Sequence, residues 1–294
     1  MSSIVPKFRP ARVLLILTIC FVSLPYLVTL FGPWNIYLDM VSHFIVQIAI
    51  VGILSVLLTV AVTRQLIYLS LLSIVIFPII TELPINFPAS SISKGDIYYI
   101  NMNYFNRDIT PIINSLEKSE SETVVITELT SGMSSELKEL YNYSVIHTER
   151  AFSCGIFSQE KPLSSIIHHF TYPTCLAEFK SFTIITVHPY PPFNKSQWES
   201  QKIYFEEVRK VYNQYQKAGK NPILIGDFNS SNFSPVFKKY FGDIRGANTN
   251  YTWSTNSILA LPLDHALGNK VESVSVAPLV SSDHAPLIIK LVER

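Results

Sequence analysis

The polar residues that interrupt apolar segments in this sequence mostly stand at or near the end of a predicted strand. They are Asn101, Glu128, His188, Asp227 with Asn229, Asp264 with His265, and Asp283 with His284. Strand ends are rigid positions from which side chains can be aimed at a common point. Taken singly, each residue has an ordinary explanation, such as a solvated glutamate or a turn-forming aspartate. Two Asp-His pairs, a Gly-Asp-Phe-Asn segment and a strand-end glutamate in one domain are harder to attribute to turns alone.

This combination of side chains suits the hydrolysis of a phosphate ester. The carboxylates of Glu and Asp are the hard oxygen ligands that Mg²⁺ or Mn²⁺ prefers, and such an ion bridges to substrate phosphate. A histidine oriented by an aspartate can act as a base or stabilise charge on the phosphoryl group. Zinc would require more His or Cys than these spacings offer. We therefore predict Mg²⁺ (or Mn²⁺) as the cofactor.

The elements that must position these residues alternate between strand and helix over residues 96–294. Strands are predicted at 96–101, 123–129, 154–158, 165–172, 175–180, 182–189 and 222–229, and helices at 110–119, 134–141 and 196–219. Thr110 is the expected N-cap of the first helix, and Ser196 with Glu199 forms a capping box for the longest one. A final hairpin is expected to pair segments 261–269 and 271–277 with 285–293. Strands mixed with helices predict a layered α/β domain with helices outside the sheets.

The first part of the chain is apolar and almost uncharged. Runs at 13–30, 40–63 and 66–81 approach or exceed the ~20 residues that cross a bilayer as a helix. We predict a membrane anchor with three transmembrane helices at 1–84, a linker at 85–95 and a catalytic domain at 96–294. A cleaved signal peptide is disfavoured because two more apolar runs follow the first. Lys7, Arg9, Arg12 and Arg64 place the amino terminus inside, so the catalytic domain is expected outside the cytoplasm.

Charge and cysteine usage narrow the choice of partner and compartment. The domain beyond residue 85 is nearly neutral, which is not the electrostatic footprint of a nucleic-acid-binding protein. Cys154 and Cys175 lie in strand-like segments, as in two arms of a hairpin. They could pair in an oxidising compartment, and the sequence leaves that disulfide open.

Seven segments, in order, resemble the endonuclease/exonuclease/phosphatase superfamily, which includes abasic-site endonucleases, DNase I, neutral sphingomyelinases and inositol polyphosphate 5-phosphatases. They are YINMNYFN, VVITEL, GIFS, ITVHPYPP, GDFN, LDHALGN and SSDHAPL, and together they cover residues 96 to 291. The resemblance implies a four-layer α/β sandwich, two packed mixed sheets flanked by helices. The three predicted spans and the NMNYFN and HPYPP forms look like the membrane-bound bacterial branch, which includes proteins associated with glycopeptide resistance.

The resemblance implies a metal site built around Glu128. Asn101 helps to orient the metal or the phosphate, and Asp283 assists the metal. Two positions depart from the pattern of the family. Thr127 stands where many members have Gln, and Asn103 replaces an acidic residue of some nucleases, so a second metal ligand there is doubtful.

Catalytic roles are implied in the same way. Asp227 polarises the attacking water, and Asn229 contacts the phosphate. His188 stabilises the scissile phosphate. His284 contacts the phosphoryl oxygen, and Asp264 holds its ring.

Two further positions are expected to bind substrate. His265 replaces a Tyr common in the family, as in several lipid-acting branches, and Asn106 either contacts phosphate or forms a turn. The apolar segment 190–193 is able to meet a lipid, although ordinary loop packing is the preferred explanation. Asn229 begins an Asn-Ser-Ser acceptor pattern, and a glycan there would block the site. Either the protein is bacterial or this motif is sterically unused, and we predict a bacterial inner membrane with the domain periplasmic or extracellular.

The sequence thus predicts a membrane-anchored phosphoesterase that depends on a divalent metal. Its expected partners are the lipid bilayer and a phosphorylated, lipid-linked substrate, with no obligate nucleic acid partner. Two alternatives stay open: an anchored extracytoplasmic endonuclease, and a non-catalytic binding domain on the same fold.

Overall fold

The computed structural model describes residues 10–82, 91–246, 250–254 and 257–292. The predicted linker at 85–95 lies largely outside these residues. Contacts divide the chain into two compact units, residues 1–83 with 233–235, and residues 84–232 with 236–294.

The first unit contains the helices α1 Pro10–Phe31, α2 Ile36–Ser42, α3 Ile45–Thr63 and α4 Ser70–Glu82. In the described part of the chain, two helical segments are long and apolar enough to cross a membrane, Pro10–Trp34 and Ile45–Thr63. Only 22% of the most apolar stretch of each helical segment is buried, so most of this apolar surface is not covered by protein. The third predicted run forms a shorter apolar helix over Leu66–Ile76, so three spans are not established. The second run is also interrupted, because α2 ends at Ser42 before α3 begins.

The second unit is an α/β sandwich. Its strands are β1 Ile97–Asn101, β2 Thr123–Thr127, β3 Tyr143–His147, β4 Cys154–Ser158, β5 Ser164–His169, β6 Pro173–Glu178, β7 Thr183–Val187, β8 Pro222–Asp227, β9 Asp264–Leu267, β10 Val271–Val276 and β11 Leu287–Leu291. Its helices are α5 Thr110–Ser119, α6 Ser131–Leu140, α7 Lys195–Lys217 and α8 Pro235–Phe241.

The strands form two mixed sheets. One sheet has the order β10-β11-β1-β2-β4-β3, with β1 and β2 parallel, and the other has the order β5-β6-β7-β8-β9, with β7 and β8 parallel. Strands β1, β2, β4, β7, β8 and β9 are buried along their whole length, which explains their nearly continuous apolar sequences.

Alternation along each strand divides the apolar side chains between two cores. Tyr99, Val125 and Ile225 belong to a core cluster between the sheets, whereas Tyr98 and Val124 pack with residues of α5 and α6 on the outer face of the first sheet. Helix α7 covers the second sheet with a buried stripe that includes Tyr204. The arrangement of helices, sheet, sheet and helices agrees with the predicted layered α/β fold.

Several elements differ from the prediction. Helix α7 is capped by Asn194, whose side chain accepts from Gln197 N, rather than by Ser196. Helix α5 begins with Ile109 as the N-cap residue, without a side-chain cap from Thr110. Strand β9 pairs antiparallel with β8 in the second sheet, and only β10 and β11 form the terminal hairpin. Strand β3 and helix α8 were not predicted, and in β3 the exposed residues Tyr143 and Ser144 obscure the apolar pattern.

Cys154 and Cys175 form a disulfide, with Cα atoms 6.0 Å apart. Cys154 begins β4 of the first sheet, and Cys175 lies in β6 of the second. The bridge therefore joins the two sheets through the core, and the predicted hairpin arrangement of these cysteines is wrong.

Candidate active site

Six of the predicted site residues meet at one edge of the sandwich. They are Asn101, Glu128, His188, Asp227, Asp264 and His284. The parallel strands β1 and β2 both end at this edge, and so do the parallel strands β7 and β8 of the other sheet. Strand β9 begins there, and the segment entering β11 passes the same point. Two sheets packed face to face thus bring side chains from distant parts of the sequence into one cluster.

Asn101 lies at the centre of this cluster. Its Nδ2 donates to Glu128 Oε1 and to Asp227 Oδ2, each at 3.0 Å. Its Oδ1 accepts from the backbone N of Asn103, at 3.0 Å, which fixes the orientation of the amide. One amide group thus links the carboxylates of the two sheets.

The backbone around these carboxylates adopts conformations that residues other than glycine rarely take. Glu128, Asn229 and Asn103 have φ values of 57°, 46° and 59°. Tyr104 N donates to Glu128 Oε2 at 2.8 Å, and Asn229 N donates to Asp227 Oδ1 at 2.7 Å. Left-handed residues that end strands are typical of sites where the fold aims a side chain at a ligand. Because β2 ends at Thr127, the predicted strand to residue 129 was too long.

His284 and Asp264 form a buried charged pair. His284 Nδ1 donates to Asp264 Oδ2 at 2.8 Å, and Tyr99 OH donates to Asp264 Oδ1 at 2.9 Å. Burial alone lowers the pKa of His284, but the charges of Asp264 and Asp227 outweigh it and raise this pKa to about 10. Burial likewise raises the pKa of Asp264, yet the hydrogen-bonded His284 brings it below its usual value. The histidine is therefore held as an imidazolium, and its Nε2 lies 3.7 Å from Asp227 Oδ2.

Asp227 and His188 complete the inner part of the cluster. Burial is the main cause that raises the pKa of Asp227 to about 7, although the positive charge of His284 opposes the shift. His188 Nε2 lies 3.5 Å from Glu128 Oε1 and 3.9 Å from Asp227 Oδ2. Burial lowers the pKa of His188, which favours a neutral imidazole next to the charged pair.

Asp283 stands at the outer rim. Asn103 Nδ2 donates to its Oδ1 at 2.9 Å, and Trp253 Nε1 donates to its Oδ2 at 3.1 Å. Both oxygens are therefore already held by protein donors. The role of Asp283 in assisting the metal stays a prediction.

Three residues that were predicted to contact the phosphate or the substrate make other contacts within the protein. Asn229 Nδ2 donates to Pro189 O at 2.9 Å, which joins the loops after β7 and β8. Asn106 donates to Met102 O and Ser281 Oγ and accepts from Asp108 N, so it organises its own loop, as the turn alternative expected.

His265 is fully buried against Phe228 and Phe237, and its Nε2 lies 2.9 Å from Ser230 O. Adjacent residues of a strand face opposite sides. Because Asp264 faces the cluster, His265 faces away from it, and its predicted role in substrate binding does not hold.

Residues without a sequence signal of their own support the site. Tyr99 looks like an ordinary core residue of β1, yet its hydroxyl binds Asp264. Gln201 of α7 is fully buried, and its Nε2 donates to Phe228 O and Asn229 O. Trp253 holds Asp283. The only signal for these roles in the sequence is a polar atom on a side chain that is expected to be buried. The sequence does not show which residue that atom hydrogen-bonds.

Two sets of side chains could hold a metal ion. Among the described residues, Asp227, Asp264 and His284 each offer an atom within 4.8 Å of the others. All three side chains of this triad are buried, however, and a protonated His284 has no lone pair to give. Glu128 is partly exposed, lies beside the amide of Asn101, and offers the hard oxygen that Mg²⁺ or Mn²⁺ binds. We therefore favour Glu128 with Asn101 over the buried triad.

A two-sheet α/β sandwich with acidic, amide and histidine side chains at one edge defines a class of hydrolases that act on phosphate esters with a divalent metal. The sequence matches the Endonuclease/Exonuclease/phosphatase family over residues 99–284, and the chain belongs to this family. It is accordingly a metal-dependent hydrolase of phosphate ester bonds.

Solved structures of other proteins share the fold. The Neisseria 3′ phosphatase NExo, bound to a product DNA hairpin, gives a TM-score of 0.56 at 16% identity, covering 67% of this chain and 99% of that one. Humanized D. rerio TDP2 gives 0.52 at 16% identity, covering 67% and 98%. The human Nocturnin catalytic domain with bound sulfate gives 0.51 at 14% identity, covering 66% and 92%. None of the curated protein sequences matches this chain.

Proposed function

We propose that this protein is a membrane-anchored, Mg²⁺- or Mn²⁺-dependent phosphoesterase that hydrolyses a lipid-linked phosphate ester outside the cytoplasm. The observation that carries the catalytic part is the bridge from Asn101 to both Glu128 and Asp227. This bridge holds the partly exposed carboxylate of Glu128, which is suited to bind a metal ion, close to the buried carboxylate of Asp227, whose pKa is raised. The substrate class and the location rest on the apolar helices in the same chain.

The proposed metal site consists of Glu128 and Asn101, with Asp283 nearby. A divalent ion bound there would offset the negative charge of the substrate phosphate. In this proposal Asp227 orients the attacking water and takes its proton, because its raised pKa suits a general base. The water oxygen bonds to phosphorus as the ester P–O bond breaks, and the leaving oxygen departs with the electron pair of that bond and takes up a proton from solvent.

The two histidines act on the phosphoryl oxygens. His284, kept protonated by Asp264, donates a hydrogen bond from Nε2 to the charge that develops there. His188 faces the same point as a neutral donor. Asn229 fastens the loops that frame the phosphate.

Support for the extracytoplasmic location comes from three features. The disulfide between Cys154 and Cys175 is typical of an oxidising compartment. Two helices are apolar enough to cross a membrane, and we propose the run at 66–81 as a third span. The basic residues before the first helix favour an inside amino terminus. A bacterial inner membrane fits these features and the Asn-Ser-Ser pattern at Asn229.

An anchored nuclease is the second candidate. Two of the similar structures contain DNA: NExo is bound to a product DNA hairpin, and D. rerio TDP2 is complexed with a single-strand DNA product. The near-neutral charge of this domain argues against tight binding of a polyanion.

A metal titration of the full-length chain in detergent tests both candidates. Lipid pyrophosphates, lipid phosphodiesters and plasmid DNA are offered with EDTA, Mg²⁺ or Mn²⁺. We expect release of phosphate or headgroup from a lipid substrate only with metal. Glu128→Gln should lower this rate by about 10²-fold or more, because it removes the anionic ligand, and Glu160→Gln, an exposed carboxylate beyond β4, should leave it unchanged.

Three outcomes would contradict the proposal. Hydrolysis that survives EDTA, or Glu128→Gln with full activity, would remove the metal role. Cleavage of DNA alone would select the nuclease.

A further inference from the structure

Two loops at the active site carry the same three-residue pattern, which consists of Phe, Asn and a basic residue. One is Phe105-Asn106-Arg107, between β1 and α5, and the other is Phe193-Asn194-Lys195, at the start of α7. The side chains of Phe105 and Phe193 are 77% and 72% exposed. Arg107 and Lys195 are exposed as well.

The asparagine of each pattern holds its loop in shape. Asn106 Oδ1 accepts from Asp108 N at 3.0 Å, and Asn194 Oδ1 accepts from Gln197 N at 3.0 Å. The loops are therefore held by local turns that leave the phenyl rings in solvent.

A residue at the start of each loop lies against the carboxylate of Glu128. Tyr104 N, one residue before Phe105, donates to Glu128 Oε2 at 2.8 Å. His188, five residues before Phe193, lies 3.5 Å from Glu128 Oε1. Each exposed ring thus follows, by one residue or five, a residue that contacts Glu128.

Loop packing accounts for one part of this surface and leaves the other part unexplained. Pro192 is buried, and the ring of Tyr190 packs at an angle against Phe152 with ring centroids 5.2 Å apart. Phe193 and Phe105 gain little from packing, although covering a phenyl ring would remove a large apolar surface from water. A bilayer surface would cover a phenyl ring at the acyl boundary while a neighbouring basic side chain meets lipid phosphates.

We propose that the loops carrying Phe105 and Phe193 dock on the surface of a lipid bilayer, with Arg107 and Lys195 against the lipid phosphates. This deepens the proposed function and rests on it, because the docked loops would bring a lipid-held phosphate ester to Glu128. A bilayer is favoured over single-stranded nucleic acid because the same chain carries two helices that suit a membrane, which keeps that surface at high effective concentration.

Spin labels on the full-length chain in phosphatidylcholine–phosphatidylserine vesicles test the docking. In a Cys20→Ser background, Phe105→Cys and Phe193→Cys carry a nitroxide whose collisions with oxygen and with a water-soluble nickel chelate are compared. Leu163→Cys is the matched control, since Leu163 is 68% exposed but follows β4 at the end of the sheet away from Glu128. We expect oxygen to dominate at 105 and 193 and nickel at 163. Nickel dominating at all three positions would overturn the proposal.

A second measurement avoids new thiols beside the native disulfide. Phe105→Trp and Phe193→Trp keep an aromatic ring at the exposed positions, and brominated lipid should quench the added fluorescence. Leu163→Trp should be unaffected. Equal quenching at the three positions would contradict specific docking.

The basic residues have their own test. Arg107→Gln and Lys195→Gln, on the spin-labelled chains, should each reduce the ratio of docked to undocked loops about fivefold in phosphatidylserine-containing vesicles, as follows from ~1 kcal/mol per basic residue near an anionic surface. An unchanged ratio would remove the proposed phosphate contacts.

A single-stranded oligonucleotide distinguishes the other possible occupant. The oligonucleotide would be the occupant if it immobilised the spin labels while the labels in vesicles still collided mainly with the nickel chelate. The phenyl rings would then stack on bases, and the proposal would be overturned. The depth measurement needs no turnover. Lipid contact in an inactive protein would therefore refute the proposed function alone, whereas activity with water-exposed labels would refute the docking alone.

Discussion

At the scale of single residues, the site concentrates charge that the fold must restrain. Asp227, Asp264 and Glu128 lie close together, and one imidazolium and one amide stand between them. Asn101 donates to Glu128 and Asp227 at once, and His284 is charged because it faces Asp227 and Asp264. Such a group of like charges is destabilising without a ligand, and this is a common exchange of stability for activity.

Asp227→Asn should therefore make the metal-free protein more stable. The pKa of Asp227 is raised to about 7 by burial, so its ionised form is disfavoured in the folded state and not in the unfolded chain. The resulting destabilisation is absent below the ordinary pKa of an aspartate and grows as pH rises towards 7. We expect the gain from Asp227→Asn to be roughly 2 kcal/mol larger at pH 8 than at pH 5, from ~1.4 kcal/mol per pKa unit. Thermal unfolding in EDTA measures it, with Glu160→Gln as the control, and an equal or negative gain at pH 8 would contradict the argument.

At the scale of elements, the close approach of β7 and β8 explains why glycine precedes Asp227. A Cβ on Gly226 would lie 1.9 Å from the carbonyl oxygen of Val187, the residue before His188. Strand β8 can deliver its carboxylate next to His188 only if this position has no side chain. The glycine of the Gly-Asp-Phe-Asn segment is thus a packing requirement of the site.

Gly226→Ala should separate β7 from β8 and destabilise the domain by about 3 kcal/mol or more, since overpacking against backbone cannot relax by a side-chain rotation. Gly132→Ala is the matched control, because no atom lies within 4 Å of its added Cβ in the first turn of α6. That change should stabilise by ~0.5–1 kcal/mol. Urea unfolding of both variants gives the comparison, and a neutral Gly226→Ala would show that the strands can move apart freely.

At the scale of the whole molecule, the sandwich is held by its apolar core and by one covalent link between the sheets. Cys154 and Cys175 are both buried, and Phe152, two residues before Cys154, packs near His188 with ring centroids 6.1 Å apart. The disulfide therefore restrains the segment that carries Phe152 next to His188.

Reduction of this disulfide should lower the stability of the domain by about 2–4 kcal/mol. Cys154→Ala with Cys175→Ala should reproduce the loss, and Cys20→Ser, which removes a free thiol, should not. Thermal scans with and without reductant provide the measurement. A wild-type chain whose unfolding is insensitive to reductant would contradict a stabilising role for the bridge.

Much of the fold and most of the site cluster could be predicted from the sequence, because both depend on local signals. Alternating and continuous apolar segments locate most strands, and polar residues at strand ends locate Asn101, Glu128 and Asp227. The apolar composition of α1 and α3 is likewise readable without coordinates. The predicted cap of α7 at Ser196 was wrong, because Asn194 is an equally good capping residue and only backbone geometry distinguishes the two.

The sequence by itself determined the class of fold and the inventory of reactive groups, since these follow from periodicity and residue type. Only the tertiary structure decided which sheet receives β9, that the disulfide crosses between sheets, and that His265 faces the core while Asp264 faces the site. It also supplied Tyr99, Gln201 and Trp253 as partners of the site. The physical reason is that these features depend on register and packing between segments far apart in the chain, where local composition is the same for either outcome.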